Sequence, residues 1–479
     1  AGVRPMSTQA GPVARPPTLG CRVRPRGLIA GACLLAQAMA MAMAGGVARA
    51  DTAAAPVPDT SREAFSHPRA DLGDAEREAF WRGRSLFRRA WVDGALGDGG
   101  PDSGGGGRGL GPLYNRLSCV ACHPGNGRGQ VPDAPGRRLQ SALLRLSVPG
   151  RGPQGAPRPH PAYGDQLQEE GVPGVPGEGR VQLRWWPVPH TELNGRRTLL
   201  RRPEVVVDEL AYGPLLGRPQ RTLTSLRVGP AVFGLGLLQA VPDAALRRLA
   251  GQRQADGFHG QLNQVWDPVA RRLAIGRFGW KANTASVAAQ VVQAAHGDLG
   301  LTSDALPGPG CSPLQTACLA LARQQGVDLG ADDVAALTAY LSGLAPPGTA
   351  PTAPTVERGR ALFSQARCSA CHQPSLPQPG GAPPIAAYTD LLLHDLGAGL
   401  ADGRPDHRAS GRQWRTAPLW GVGLVPVVNE HSHYLHDGRA RNLHEAVLWH
   451  DGQARRARLR YERLSADDQA ALLAFVAAL

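Results

Sequence analysis

The chain has 479 residues, 42% hydrophobic and 19% charged, which allows two or three domains with sizeable cores and excludes a disordered polymer. Its formal charge is +13, but residues 1–50 hold six arginines and no acid; without them 46 basic and 39 acidic residues leave +7. The arginines are scattered and no aromatic-basic stripe suggests nucleic acid, although a mildly basic face suits an acidic redox partner.

The chain opens with a targeting pattern. Arg22, Arg24 and Arg26 precede an apolar run from Leu28 to Ala44, and Ala48, Arg49 and Ala50 form a small-x-small cleavage site. Residues 1–50 therefore read as a signal peptide cleaved near Ala50, with the periplasm as destination. A retained anchor is the alternative, since the run approaches bilayer length. Its richness in Ala and Gly argues against that, so no stable membrane anchor is expected.

Landmarks then recur in one order. GRSLF (83–87) precedes CVACH (119–123), with a Gly-rich insertion between them, and GRALF (359–363) precedes CSACH (368–372). LRVGPAVFGLGL (226–237) is echoed by WRTAPLWGVGL (414–424). The recurrence predicts two similar domains from a duplication. Their expected extents are 51–345, with insertions, and 356–479, joined by a Pro/Ala/Thr linker at 346–355. A helix is predicted to close each one, over GADDVAALTAYLSGL and LSADDQAALLAFVAAL. Residues 150–220, rich in Pro and Gly, read as an elaborated loop region. VQLRWW and PEVVVDEL are the best strand candidates. The expected fold is mainly α, two cytochrome c-like domains with long irregular loops and a few short strands. Cys311 and Cys318 are spaced for a local disulfide, with two buried thiols as the alternative.

CxxCH is the c-type haem attachment signature. Cys119 and Cys122, and likewise Cys368 and Cys371, can reach the two vinyl groups of one porphyrin, and His123 or His372 then meets the iron. A zinc site is disfavoured because the pairs lie far apart in sequence. A thioredoxin-like pair is disfavoured because both copies carry the histidine and neither has a clear βαβ context.

These motifs, with LAYGPLLGR, GRFGWKAN, GDLGLTS, YTDLLLHDLG and HDGRARNLHEAVLWH, resemble the bacterial dihaem cytochrome c peroxidase superfamily. The nearest branch is that of dihaem (putative thiol) oxidoreductases, and the likeness covers most of residues 75–479. The resemblance implies two covalent haems, the N-terminal one reacting with peroxide and the C-terminal one relaying electrons. It also implies calcium between the domains. In that family a His-x-Gly motif is followed fourteen residues later by the methionine that ligates the relay haem. Here His436 begins HDG and the fourteenth residue after it is His450, so His450 is the expected distal ligand of the C-terminal haem.

Helical spacing supports this separately. Leu443, Ala446, Val447 and His450 share one face, while His444 points about 120° away and reads as a solvated surface residue. A core histidine satisfied by a backbone carbonyl is the alternative for His450. His436, His394, Arg227 and Arg415 are expected near the haems by resemblance, His394 in a structural role. For the N-terminal haem no distal ligand is evident. His160, His190, His259 and His296 read as surface residues, His190 being the strongest exception. Gln239 lies near the family's distal glutamine, but the distal acid has no clear counterpart. Gln239 can orient peroxide and cannot titrate, which puts efficient peroxidase chemistry in doubt. Trp185, Trp186 and Trp280 are candidates for electron transfer between haems, each otherwise core packing.

The resulting expectation is an exported dihaem oxidoreductase acting on peroxide or a small molecule, exchanging electrons with a periplasmic donor or acceptor protein. The alternatives are a non-catalytic dihaem electron carrier and a haem enzyme that oxidises a partner protein.

Overall fold

The computed structural model describes Gly2 and residues 57–92, 109–218, 221–322, 327–348 and 353–479. The proposed signal segment and cleavage site lie outside the described residues, as do parts of the Gly-rich insertion and of the linker. No helix among the described residues is long and apolar enough to cross a membrane.

The first helix among the described residues, α1 (Asp74–Arg88), starts with Glu76 reaching back to accept from the Gly73 N–H at 2.8 Å, which satisfies an otherwise free donor. It packs on α4 (Ala331–Gly343). Gly83 makes this approach possible, because a Cβ there would lie 1.9 Å from the Ala336 carbonyl oxygen. The same arrangement recurs where α5 (Pro354–Gln365) packs on α7 (Ala466–Ala477): a Cβ on Gly359 would lie 2.0 Å from the Ala471 oxygen. The glycine of each GRxLF motif is thus a helix-crossing point.

Within each pair, the chain between the two helices forms β structure. β1 (Ala142–Arg151) pairs antiparallel with β4 (Leu223–Val228), setting Ala142 opposite Val228. β2 (Arg180–Thr191) and β3 (Arg197–Asp208) form a twelve-rung antiparallel ribbon from Arg180↔Asp208 to Thr191↔Arg197. β5 (Leu393–Asp395) pairs with β6 (Gln413–Arg415), setting His394 opposite Trp414.

This corrects the expected fold class. The chain has 33% helix and 20% strand in several small sheets, and the described residues show no duplicated cytochrome domain. Thr52–Leu479 is one compact unit, whose two large buried apolar clusters among the described residues each draw on both halves of the sequence. Residues 150–220 are not loop but hold the ribbon. Pro187, Pro189 and Pro203 share one parity along it, where an N–H would point away from the partner strand, so a two-stranded ribbon tolerates them.

Candidate functional site

Two cavities, of about 290 and 220 Å³, open in this unit. The first is lined by Cys119, Cys122 and His123. The cysteines bracket the single turn α2 (Cys119–Cys122), and the His123 N–H donates to the Cys119 oxygen at 3.0 Å, which carries the imidazole to the same wall. His123 Nδ1 donates to the Pro230 carbonyl at 2.7 Å, so its lone pair resides on Nε2. Gly229 permits this fit, since a Cβ there would lie 2.9 Å from the ring. Phe87, the last residue of GRSLF, packs against His123.

The second cavity repeats the chemistry. A 3₁₀ turn (Cys368–Ala370) leads into His372, whose Nδ1 donates to the Tyr388 carbonyl at 2.9 Å, with Phe363 of GRALF beside it. Cys368, Cys371 and His372 line this cavity together with His450. His450 follows α6 (Leu443–Leu448), and its Nδ1 donates to the Ala446 carbonyl at 2.7 Å. That bond to a backbone carbonyl still leaves the Nε2 lone pair for a metal, as ligating histidines usually arrange. Leu443, Ala446 and Val447 line the cavity on the same helix face. Burial lowers the pKa of His123 and His450, and burial with His450 nearby pushes His372 down to about 4. All three are held neutral, the form that binds iron.

The first cavity differs in one respect. Among the described residues lining it, His123 is the lone histidine. All four methionines fall within residues 6–43, so no thioether ligand is available to either cavity among residues 57–479. Its polar wall includes Gln166, Gln290, Gln293 and Asp298. Burial raises the pKa of Asp298, which accepts from Gln166 Nε2 at 2.8 Å. Sequence reasoning missed this acid, although Gln290, Ala294 and Asp298 lie at helical spacing along α3 (Val287–Leu299).

Several expected positions need correction. Gln239 is exposed and outside the lining; its Oε1 accepts from the Val287 N–H at 2.7 Å and caps α3. His444 is buried, not solvated, because the ribbon end covers it. Nε2 donates to Glu192 at 3.2 Å, and Nδ1 accepts from the Tyr461 hydroxyl at 2.7 Å. His160 is also buried, its Nδ1 accepting from the Ala162 N–H. His190 is half-buried against Glu462 and His296 is half-buried, while His259 is exposed as expected; none of these four histidines lines a cavity. Trp185 and Trp186 lie outside both linings, whereas Trp280 belongs to both walls and donates from Nε1 to the Val228 carbonyl at 2.8 Å. Cys311 and Cys318 are joined as a disulfide, Cα–Cα 5.9 Å.

His436 and His394 line the second cavity, Arg227 the first, and Arg415 both. His394 donates from Nε2 to Asp390 at 2.8 Å; burial opposes its charge, but Asp390 and Cys371 overcome this and raise its pKa well above the usual value. Cys371, Asp390 and His394 could together grip a metal ion. Their mixed donors are unlike the all-oxygen set that calcium takes.

The walls also fit a group bearing carboxylates. Arg128 and Arg415 line both cavities, and burial pushes each down to about 10. Neither makes an ion pair with a carboxylate among the described residues, and Arg128 Nε and Arg227 Nη2 are buried without a hydrogen-bond partner. Unpaired buried guanidinium groups are costly. A porphyrin, with two carboxylates, two vinyl positions for a CxxC pair and an iron for the histidine, matches each cavity.

Residues 219–479 match the family model described as "Di-haem oxidoreductase, putative peroxidase". No curated protein matches the chain. Among solved structures, one match is titled "Kuenenia stuttgartiensis Hydrazine Synthase Pressurized with 20 bar Xenon", 18% identical, with a TM-score of 0.24. It covers 36% of this chain and 63% of that one, so the chain spans less than two thirds of that protein's length.

Proposed function

The chain belongs to the di-haem oxidoreductase family, and from that premise we propose an exported, peroxidase-like enzyme with two inequivalent c-type haems. Cys119 and Cys122 tether the N-terminal haem, with His123 as its ligand. Cys368 and Cys371 tether the C-terminal one, ligated by His372 and His450. An iron held by two protein ligands exchanges electrons, whereas one with an open face can bind and activate an oxidant. Peroxide or a small substrate therefore enters the first cavity, and a redox protein in the periplasm exchanges electrons through the second. Arg128, Arg227 and Arg415 hold the propionates. Trp280, in both walls, lies between the two centres.

Asp298 supplies what Gln239 cannot, a titrating group at the first cavity. It holds or delivers a proton while Gln166 fixes its carboxylate. One observation carries the reading: three inward imidazoles, each fixed through Nδ1 to a carbonyl, divide one and two between the cavities. An EPR spectrum of the purified ferric protein tests it. The expected result is one high-spin haem that binds cyanide and one low-spin haem that does not. Two low-spin haems indifferent to cyanide and peroxide would make the chain an electron carrier instead.

A further inference from the structure

Of the 52 lysine and arginine residues only Lys281 is lysine, and it is among the most deeply buried side chains, at 0% exposure. Its Nζ donates to Asp402 Oδ1 at 2.8 Å, to the Arg404 carbonyl at 2.9 Å and to the Ser410 carbonyl at 3.0 Å. Three acceptors converge on one point, which suits the three N–H groups of an ammonium and not the flat fork of a guanidinium. On another side the ammonium lies 4.3 Å from the ring centroid of Trp414, within cation–π range. Trp414 in turn stacks on His436, with centroids 3.6 Å apart and planes 15° from parallel. Both rings line the second cavity. A buried cation is therefore fixed directly behind the wall of that cavity, away from solvent screening.

We propose that Lys281 is a positioning residue that tunes the second centre: its ammonium, behind the Trp414–His436 stack, raises the reduction potential of the C-terminal haem. The proposal rests on the reading of that cavity as the relay site. Reduction adds an electron, and a nearby positive charge in a poorly polarisable interior favours the added electron. Two imidazole ligands favour the ferric state and lower the potential. The ammonium offsets this, keeping the relay within reach of a modest donor. A carboxylate alone in the Asp402 position would act in the opposite sense.

The charge is also titratable. Burial pushes Lys281 down to about 8, with Asp402 and Asp406 holding it up and Arg227 pressing it down. The other charged groups facing it are Arg404, pushed by burial to about 10, and, across the stack, His436 with the Asp437–Arg439 pair. Burial holds His436 at about 4, so it stays neutral above pH 6. Because the lysine is protonated below its folded pKa, the potential is high at pH 6.5 and falls as pH rises through about 8.

Spectroelectrochemical titration of the intact holoprotein tests this, following each haem separately at pH 6.5 and pH 9. In the wild type the C-terminal potential should drop between the two pH values by more than the N-terminal one. Lys281→Met should lower it at pH 6.5 and abolish most of the pH difference. Asp402→Asn should shift the midpoint of that pH dependence to lower pH, because Asp402 helps to hold the ammonium protonated. A merely structural lysine would leave the potential of any folded variant unmoved. If Lys281→Met does not fold, the wild-type pH dependence and the Asp402→Asn shift decide. A low-spin C-terminal haem whose potential ignores both overturns the proposal alone. Protein with no haem on Cys368 and Cys371 overturns the relay reading, and this proposal with it.

Discussion

His450 and His444 sit six residues apart, and their ring nitrogens meet different fates. His450 has only Nδ1 engaged, by the Ala446 carbonyl, whereas His444 has both nitrogens engaged, by Tyr461 and Glu192. His450→Ala should therefore open the C-terminal iron to cyanide and convert its low-spin signal to high-spin, read by EPR. His450→Met should raise that haem's potential, since a thioether favours ferrous iron more than imidazole does. His444→Ala should leave ligation intact and instead lower stability by about 1–3 kcal/mol, because Glu192 loses a buried partner; a denaturant melt measures this. At the first cavity, Asp298→Asn should slow the peroxide reaction by roughly 10²–10⁴-fold, the usual worth of a positioned proton-transfer group. Cyanide affinity should change little, and stopped-flow spectra would separate the two effects. Equal losses in both would mean that Asp298 merely holds the cavity open.

Helix crossings carry the second scale. Gly83 and Gly359 let α1 and α5 approach α4 and α7 closely, and a methyl group at either would collide with a backbone carbonyl that cannot swing aside. Gly83→Ala and Gly359→Ala should each cost about 1–3 kcal/mol or more, as overpacking does. Gly251 offers a contrast, since a Cβ there meets nothing within 4 Å. It ends the helix Asp243–Gly251, and Gly251→Ala should be neutral or stabilise by up to about 1 kcal/mol. Thermal melts of the three variants under one set of conditions would rank them. The β2–β3 ribbon acts at this scale too: its end brings Glu192 over α6 and buries His444.

For the whole molecule, the feature of consequence is a wall shared by two cavities and furnished with Arg128 and Arg415. Without carboxylate partners these buried charges oppose folding, and with propionates beside them they support it. Protein carrying Cys119→Ser and Cys122→Ser, and hence one tethered haem, should melt at lower temperature and be cleaved faster by protease across both halves of Thr52–Leu479. Cleavage confined to one half would indicate two independently stable parts. A pH effect is also expected from Glu178, which burial raises to about 8 although the Gln168 N–H and Gln315 donate to it. The folded state then binds a proton more tightly than the unfolded state. Stability should fall as pH rises from about 4.5 to about 8, and Glu178→Gln should flatten that slope in denaturant melts.

Both CxxCH motifs were legible in the chain because the two thiols and the imidazole that share each cavity wall are neighbours in sequence. The place of His450 in the second cavity was legible because a fourteen-residue offset and a helical stripe are local patterns. The absence of methionine beyond residue 43 was equally readable and would have strengthened that reading. The ribbon at 180–208 was obscured because its prolines look like loop, and only pairing shows that their missing N–H groups face outward. A helical stripe identifies one buried face but cannot reveal a cover on the other, so His444 was misread. That Asp298 lines the first cavity and Gln239 does not was hidden, because a cavity gathers residues from distant segments and linear distance carries no record of which side chain faces it. Lys281 stood out in the sequence as a lone lysine. Its meaning came only from three oxygens, on Asp402, Arg404 and Ser410, that the fold brings around one nitrogen.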